Sequence, residues 1–303
     1  MSAAAMQPLT AMRDAARRAI RGVLADIDDT ISTGGRVTAE AYAAMERLRR
    51  AGLLVVPITG RPAGWCDHIA RMWPVDAVVG ENGGFYMIHD DRARKLIKRY
   101  AVGEADRQAA RTRLLAIGER IVRTEPGCAL ASDQPYREAD LAIDYCEDVA
   151  PLSRGAVERI VARMRAEGMT AKVSSIHVNG WFGTYDKLTM TRLLVREQFG
   201  LDLDACRAEF VFVGDSPNDA PMFEFFPHSV GVANVWRFAD CLPAPPKYVT
   251  AREAGAGFAE LADFLLRKES TPSPSGPRDS APGLKRRTRR LQTTGPRARV
   301  RHK

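Results

Sequence analysis

Four short apolar runs, each ending on a glycine or a polar residue, constrain the fold of this chain more than any other feature. Val23–Ala25 runs into Asp26, Leu53–Ile58 into Thr59, Ala77–Val79 into Gly80, and Phe210–Val213 into Gly214-Asp215. Runs that are apolar at consecutive positions, without polar alternation, suit strands covered on both faces, as in parallel sheets. Between the first two runs, Thr38 is placed to cap a helix carrying Ala41, Met45 and Leu48 on one face, with Gly52 as its stop. Val230–Val232 follows the last run after a short helix and reads as a further strand. This order predicts an α/β fold: a doubly wound, Rossmann-like parallel sheet built from two separated segments, 21–85 and 186–267.

The segment between them, 86–185, has a different rhythm. Phe85–Ile88 reads as a strand, followed by a helix with Ala110, Leu114, Ile117 and Ile121 on one face. Cys128–Ala131 and Leu141–Tyr145 read as strands, Val157, Ile160, Val161 and Met164 as a second helical face, and Lys172–Val178 as a closing strand. That order, β-α-β-β-α-β, is the order of a ferredoxin-like sandwich and predicts an inserted α/β cap domain.

Charge is distributed unevenly. The chain carries +8 overall, and 268–303 alone carries +9, which leaves the remainder near neutral at −1. The terminal stretch is rich in Ser, Pro and Arg with little to bury, so a disordered basic tail is expected. Such a tail makes nucleic-acid contact conceivable as a side function, whereas the neutral body gives no basis for a nucleic-acid enzyme. Residues 1–20 read as an N-terminal segment without the apolar core of a secretory signal. Five scattered cysteines without a CxxC pair read as reduced thiols, and no apolar run approaches the ~20 residues that span a bilayer. A soluble cytoplasmic protein with no membrane partner is the expectation; oligomeric state is not legible.

The residues with chemical potential cluster at the ends of the apolar runs. Asp26-Ile27-Asp28-Asp29-Thr30 places several carboxylates outside the carboxyl end of a strand, where open parallel sheets bind ligands. Carboxylates this close repel one another, and a bound cation is the usual remedy. Gly214-Asp215-Ser216-Pro217-Asn218-Asp219 brings further oxygen ligands to the same edge, a set that suits hard Mg²⁺. Thr59 and Gly60 form a turn with donors for a phosphate, and Lys187, just before the helical pattern Leu188–Phe199, supplies a positive charge. In the insertion, Asp133, Arg137, Ser175, His177, Asn179 and Trp181 are the polar and aromatic candidates for substrate contact, Arg137 and His177 foremost. Cys66 and His68 read as plain helix positions.

These motifs, in this order, resemble the four-motif set of the haloacid dehalogenase-like superfamily, over roughly 23–266. The insertion between the second and third motifs resembles its subfamily with an α/β cap. Glu81-Asn82-Gly83-Gly84 and the Gly214–Asp219 motif are most similar to mannosyl-3-phosphoglycerate phosphatases, with sucrose- and trehalose-phosphate phosphatases as near relatives. The resemblance implies a Mg²⁺-dependent phosphatase acting on a small phosphorylated substrate, a sugar phosphate by preference. It implies Asp26 as nucleophile forming an aspartyl-phosphate, Asp28 as general acid/base whose carbonyl also binds the metal, and Asp215 and Asp219 as metal-site acids. Thr59, Lys187 and Asn218 would hold phosphate oxygens. A phosphomutase of the same fold is the alternative within this resemblance, and a regulatory nucleic-acid-binding protein working through the tail is the alternative outside it.

Overall fold

The computed structural model describes residues 6–267; the expected basic tail and the first five residues lie outside that range. In chain order, β1 (Gln7–Pro8) and α1 (Asp14–Ala19) precede β2 (Gly22–Ala25). A small hairpin, β3 (Ser32–Thr33) and β4 (Arg36–Val37), leads into α2 (Ala39–Arg50), β5 (Leu54–Pro57) and α3 (Ala63–Met72). Next come β6 (Val78–Gly80), β7 (Phe85–Asp90) and β8 (Lys95–Tyr100). The insertion continues with α4 (Glu104–Thr124), β9 (Ala129–Leu130), β10 (Leu141–Asp144), α5 (Arg154–Ala166), β11 (Thr170–Val173) and β12 (His177–Trp181). The chain returns through α6 (Lys187–Leu194), α7 (Leu203–Cys206), β13 (Phe210–Gly214), α8 (Ala220–Phe225), β14 (Val230–Gly231), β15 (Tyr248–Val249) and α9 (Ala254–Leu266).

Six parallel strands form the main sheet in the order β1-β15-β14-β13-β2-β5. Its consecutive apolar residues split between two faces, as the pleat requires. Val23, Ala25, Val55, Val211 and Val213 pack with Ala41, Met45 and Leu48 of α2 and with Phe258 and Leu261 of α9. Leu24, Val56, Phe210 and Phe212 face the other way, against Met190 and Leu194 of α6 and Met222 and Phe223 of α8. Phe212 lies 5.6 Å from the Phe223 ring and 6.3 Å from that of Phe226, and full burial of such a side chain contributes roughly 1.5–3 kcal/mol. Helix α2 starts as its sequence predicts, with the Thr38 side chain accepting from the Ala41 N–H at 3.3 Å, and Gly52 lies beyond its end at φ +89°. Residues 6–20 are part of this body. Leu9, Met12 and Ile20 join the core, and the buried Arg17 guanidinium donates to the carbonyls of Leu265 and Arg267 behind α9.

The insertion differs from its expected strand order. Phe85–Ile88 was expected to open the inserted sheet, but β7 pairs antiparallel with β6 and β8, and Phe85, Tyr86 and Met87 pack into the two core clusters beside the main sheet. A bridge between Ile58 and Val79 links this three-stranded sheet to the β5 edge. The expected closing strand Lys172–Val178 is a hairpin, because Ser174 turns the chain: its hydroxyl accepts from the N–H of His177 at 3.0 Å and its own N–H donates to the His177 carbonyl at 2.9 Å. The insertion therefore runs α-β-β-α-β-β, with an antiparallel sheet in the order β11-β12-β10-β9. Leu114, Ile117 and Ile121 of α4 and Ile160 and Met164 of α5 cover Leu141, Ile143 and Val178 of that sheet.

One close approach ties the second motif region to α6. Gly83 sits at φ +102°, and a Cβ there would lie 2.1 Å from the Asp186 carbonyl oxygen. Asp186 caps α6 and fixes the start of the helix that carries Lys187. Gly83→Ala combines an unfavourable φ with a backbone clash that no rotamer relieves. It should destabilise the protein by about 3 kcal/mol or more, visible in a thermal melt as a drop on the order of 10 °C.

Candidate active site

The carboxyl ends of β13, β2 and β5 lie side by side and carry Asp215, Asp26 and Thr59. Asp26 is anchored by its own N–H, which donates to the Val213 carbonyl at 2.9 Å. The Lys187 ammonium enters from α6 and donates to Asp26 Oδ1 at 2.7 Å and Asp219 Oδ1 at 2.8 Å. The other Asp219 oxygen accepts from the Asp215 N–H at 3.2 Å, which fixes the turn after β13. Asp26, Asp215 and Asp219 are all buried, and each offers a carboxylate oxygen within 4.8 Å of the others.

This cluster is short of positive charge. Burial, together with Asp219 and Asp28, pushes Asp26 up to about 8 despite the opposing Lys187, and burial next to Asp219 and Asp26 holds Asp215 well above the usual carboxylate range. Burial opposes the charge on Lys187 too, but Asp219 and Asp26 outweigh it and keep the ammonium protonated. A hard divalent cation fits this donor set: oxygen ligands only, buried, converging and under-neutralised.

Asp28 stands apart from that trio. Its two oxygens accept from Arg61 Nε at 2.9 and 3.1 Å, and the same guanidinium reaches Glu147 of the insertion at 2.7 Å. The fork from Arg61 holds the Asp28 carboxylate to one side of the Asp26, Asp215 and Asp219 trio. Glu147 is set by the loop after β10, where the buried Asp144 accepts N–H bonds from Cys146, Glu147 and Asp148 at 2.8–2.9 Å. Burial would raise the Glu147 pKa, but His177 and Arg61 outweigh it and bring it down to about 2.

The remaining expectations divide. Asp26, Asp28, Gly60, His177 and Asn218 line one narrow gap, together with Arg61 and the 174–176 turn. His177 Nε2 lies 2.9 Å from Glu147 Oε2 but lacks hydrogen-bond geometry to it. Asn218 accepts from the Ser216 hydroxyl at 2.8 Å. Thr59 is buried and its hydroxyl oxygen accepts from the Arg61 N–H at 3.0 Å, which shapes the turn behind Asp28. Arg137 does not line the gap: its fully buried side chain donates to Asp133, Asp140 and, from behind, the Gly60 carbonyl. Trp181 is buried too, with its indole N–H on the Tyr185 carbonyl. Three contributors carry no sequence signal of their own: Arg61, Glu147, and Asn234, whose amide donates to Asp215 Oδ2 at 3.2 Å and to the Asp29 carbonyl at 2.9 Å.

No family model matches the chain. It is 27% identical to a phosphoglycolate phosphatase of Methanothrix thermoacetophila over 254 residues, 81% of this chain and 97% of that protein. A phosphoglycolate phosphatase of Haloarcula marismortui is 28% identical over 218 residues, 70% of this chain and 84% of its own. Among solved structures, the sucrose-phosphatase of Synechocystis superposes with a TM-score of 0.57 at 15% identity, covering 82% of this chain and 98% of that one. A Thermoplasma acidophilum protein gives 0.61 at 17% identity, covering 81% and 98%. A haloacid dehalogenase-like hydrolase from Bacteroides thetaiotaomicron also superposes, with a TM-score of 0.57 at 14% identity, so the chain shares the fold of haloacid dehalogenase-like hydrolases, and the curated relatives it resembles are phosphatases. Among the described residues no helix is long and apolar enough to cross a membrane.

Proposed function

We propose that this chain is a Mg²⁺-dependent phosphatase that hydrolyses a small phosphorylated metabolite, a sugar phosphate by class, through an aspartyl-phosphate. The observation that carries this is the convergence of Asp26, Lys187, Asp215 and Asp219 at one sheet edge, with Asp28 two residues beyond Asp26. Asp26, Asp215 and Asp219 would hold the ion, with the Asp28 carbonyl as a further oxygen. Bound there, it would neutralise phosphate charge and keep the Asp26 carboxylate ionised.

The chain's own residues account for the rest. Lys187, the Thr59–Gly60 turn and Asn218 hold the phosphoryl oxygens. An Asp26 oxygen forms the new bond to phosphorus while the ester P–O bond breaks, and Asp28 gives its proton to the departing alkoxide. Water then attacks the aspartyl-phosphate, Asp28 takes the water's proton, and inorganic phosphate leaves with the Asp26 carboxylate restored. Arg61 positions Asp28 throughout, and sharing it with Glu147 couples the proton donor to the insertion. In this reading the insertion, α4 to β12, acts as a cap that excludes water.

The test is a phosphate-release screen of the purified chain against phosphorylated sugars, phosphoglycolate and acetyl phosphate. Excess chelator should stop release, Mg²⁺ should restore it, and Ca²⁺ should substitute poorly because its looser shell misplaces the attacking carboxylate. Full activity in chelator overturns the metal; sugar isomers in place of free phosphate would indicate a mutase.

A further inference from the structure

The gap beneath the insertion, between Gly60 and the 174–177 turn, has only about 10 Å³ of free space, room for little more than one water. A second cavity, of about 350 Å³, opens on the other side of Asp28, between the β3–β4 hairpin and α3. That volume is in the range of small-molecule sites. Its walls are Ile27, Val37, Trp65, Ile69 and Trp73, and its polar edge is Asp28, Ser32 and His68. Asp28 is the residue common to both spaces.

Resting on the phosphatase reading, we propose that this cavity receives the leaving alcohol, and that it selects a neutral, ring-shaped one. The phosphoryl group would lie at Asp26 and Lys187, the ester oxygen at Asp28, and the ring against the indoles of Trp65 and Trp73. Trp65 is already held in place, with the Arg61 guanidinium 4.4 Å from its ring centre, and Trp73 packs edge-on to Tyr42. The C–H face of a sugar, like an aromatic ring, suits such a wall, while hydroxyls at the ring edge meet Ser32 and His68. Among the described residues no Lys or Arg lines the cavity, and the Arg61 charge is engaged by Asp28 and Glu147. A carboxylate-bearing leaving group such as glycolate would therefore enter without a cation partner and beside Asp28. This sets the chain apart from the phosphoglycolate phosphatases it resembles.

The experiment measures kcat/KM with the Mg²⁺-loaded full chain for phenyl phosphate, phosphoglycolate and the small acetyl phosphate. Phenyl phosphate should exceed phosphoglycolate by about tenfold or more. His68→Trp, at an exposed helix position that tolerates substitution, fills the cavity and should lower the phenyl-to-acetyl ratio about tenfold. Trp65→Ala removes the stacking wall and should lower the same ratio. A preference for phosphoglycolate, or a ratio unchanged in both folded variants, overturns the pocket and leaves the phosphatase standing. No phosphate release from any of the three, acetyl phosphate included, overturns both.

Discussion

Asp26→Asn should abolish phosphate release while leaving a folded protein that is at least as stable as the wild type. The activity half follows from nucleophilicity: an amide oxygen at the end of β2 cannot form the aspartyl-phosphate, and a loss on the order of 10³-fold or more is expected. The stability half follows from the surroundings. Asp26 is buried beside Asp219 and Asp28, which together with burial push it up to about 8. A carboxyl whose pKa is raised on folding stabilises the folded state fully only below its unfolded value, 3.8, and that advantage is lost as pH rises toward 8. In chelator the asparagine variant should therefore gain on the wild type through the window from about pH 4 to about pH 8. Lys187 keeps Asp219 as its partner in the variant, so the ammonium is not stranded. Melting curves across that window and a single-turnover phosphate assay check both halves. Near-wild-type turnover in the variant would remove Asp26 from the mechanism.

The contrast between core and insertion shows what a single sequence can carry. Asp26, Thr59 and Asp215 were legible because each ends a run of consecutive apolar residues, and parallel strands bring such ends to one edge whatever the intervening chain does. Lys187 was legible by position and charge, and its reach to Asp26 depends on the Asp186 cap and on Gly83. The insertion lacks that rule. Strand β8 reads Lys95-Leu96-Ile97-Lys98-Arg99-Tyr100, whose charges mask it, and only pairing with β7 makes it a strand. The alternation across 172–178 is real, but Ser174 bonds to backbone two and three residues on and folds the run back on itself. Asn234, on a short 3-10 turn, and Glu147, on a loop, reach the site along paths that depend on contacts distant in sequence, with Ala254 for one and Arg61 for the other.

Arg137→Ala should act on stability, where the sequence alone suggested a selective rise in KM. The side chain has no exposure, and its Nε and terminal nitrogens donate to Asp133 at 2.9 and 3.1 Å, to Asp140 at 2.9 Å and to the Gly60 carbonyl at 2.8 Å. Burial works against the guanidinium, but Asp140, Asp133 and Glu81 outweigh it and hold it firmly charged. Asp140 also accepts from Asn82 at 3.2 Å and from Asn179 at 3.1 Å, and the Glu81 carboxylate accepts the N–H groups of Glu138, Ala139 and Asp140. One cation thus sits inside a network that stitches the insertion to the turn after β5. Its removal leaves Asp140 buried without its counter-charge and Asp133 with Arg61 alone at 3.6 Å, which costs about 3–5 kcal/mol. For a body of this size the melting temperature should fall on the order of 10 °C. Arg137→Lys keeps the charge but loses the fork, and should recover only part of that loss. Where the variant remains folded, KM for phenyl phosphate and for acetyl phosphate should move together, since Arg137 lines neither the gap beneath the insertion nor the cavity beside α3 and reaches the gap only through the Gly60 carbonyl, on the phosphate side common to both substrates. An unchanged melting temperature with a KM rise confined to the larger substrate would return Arg137 to the substrate-contact role.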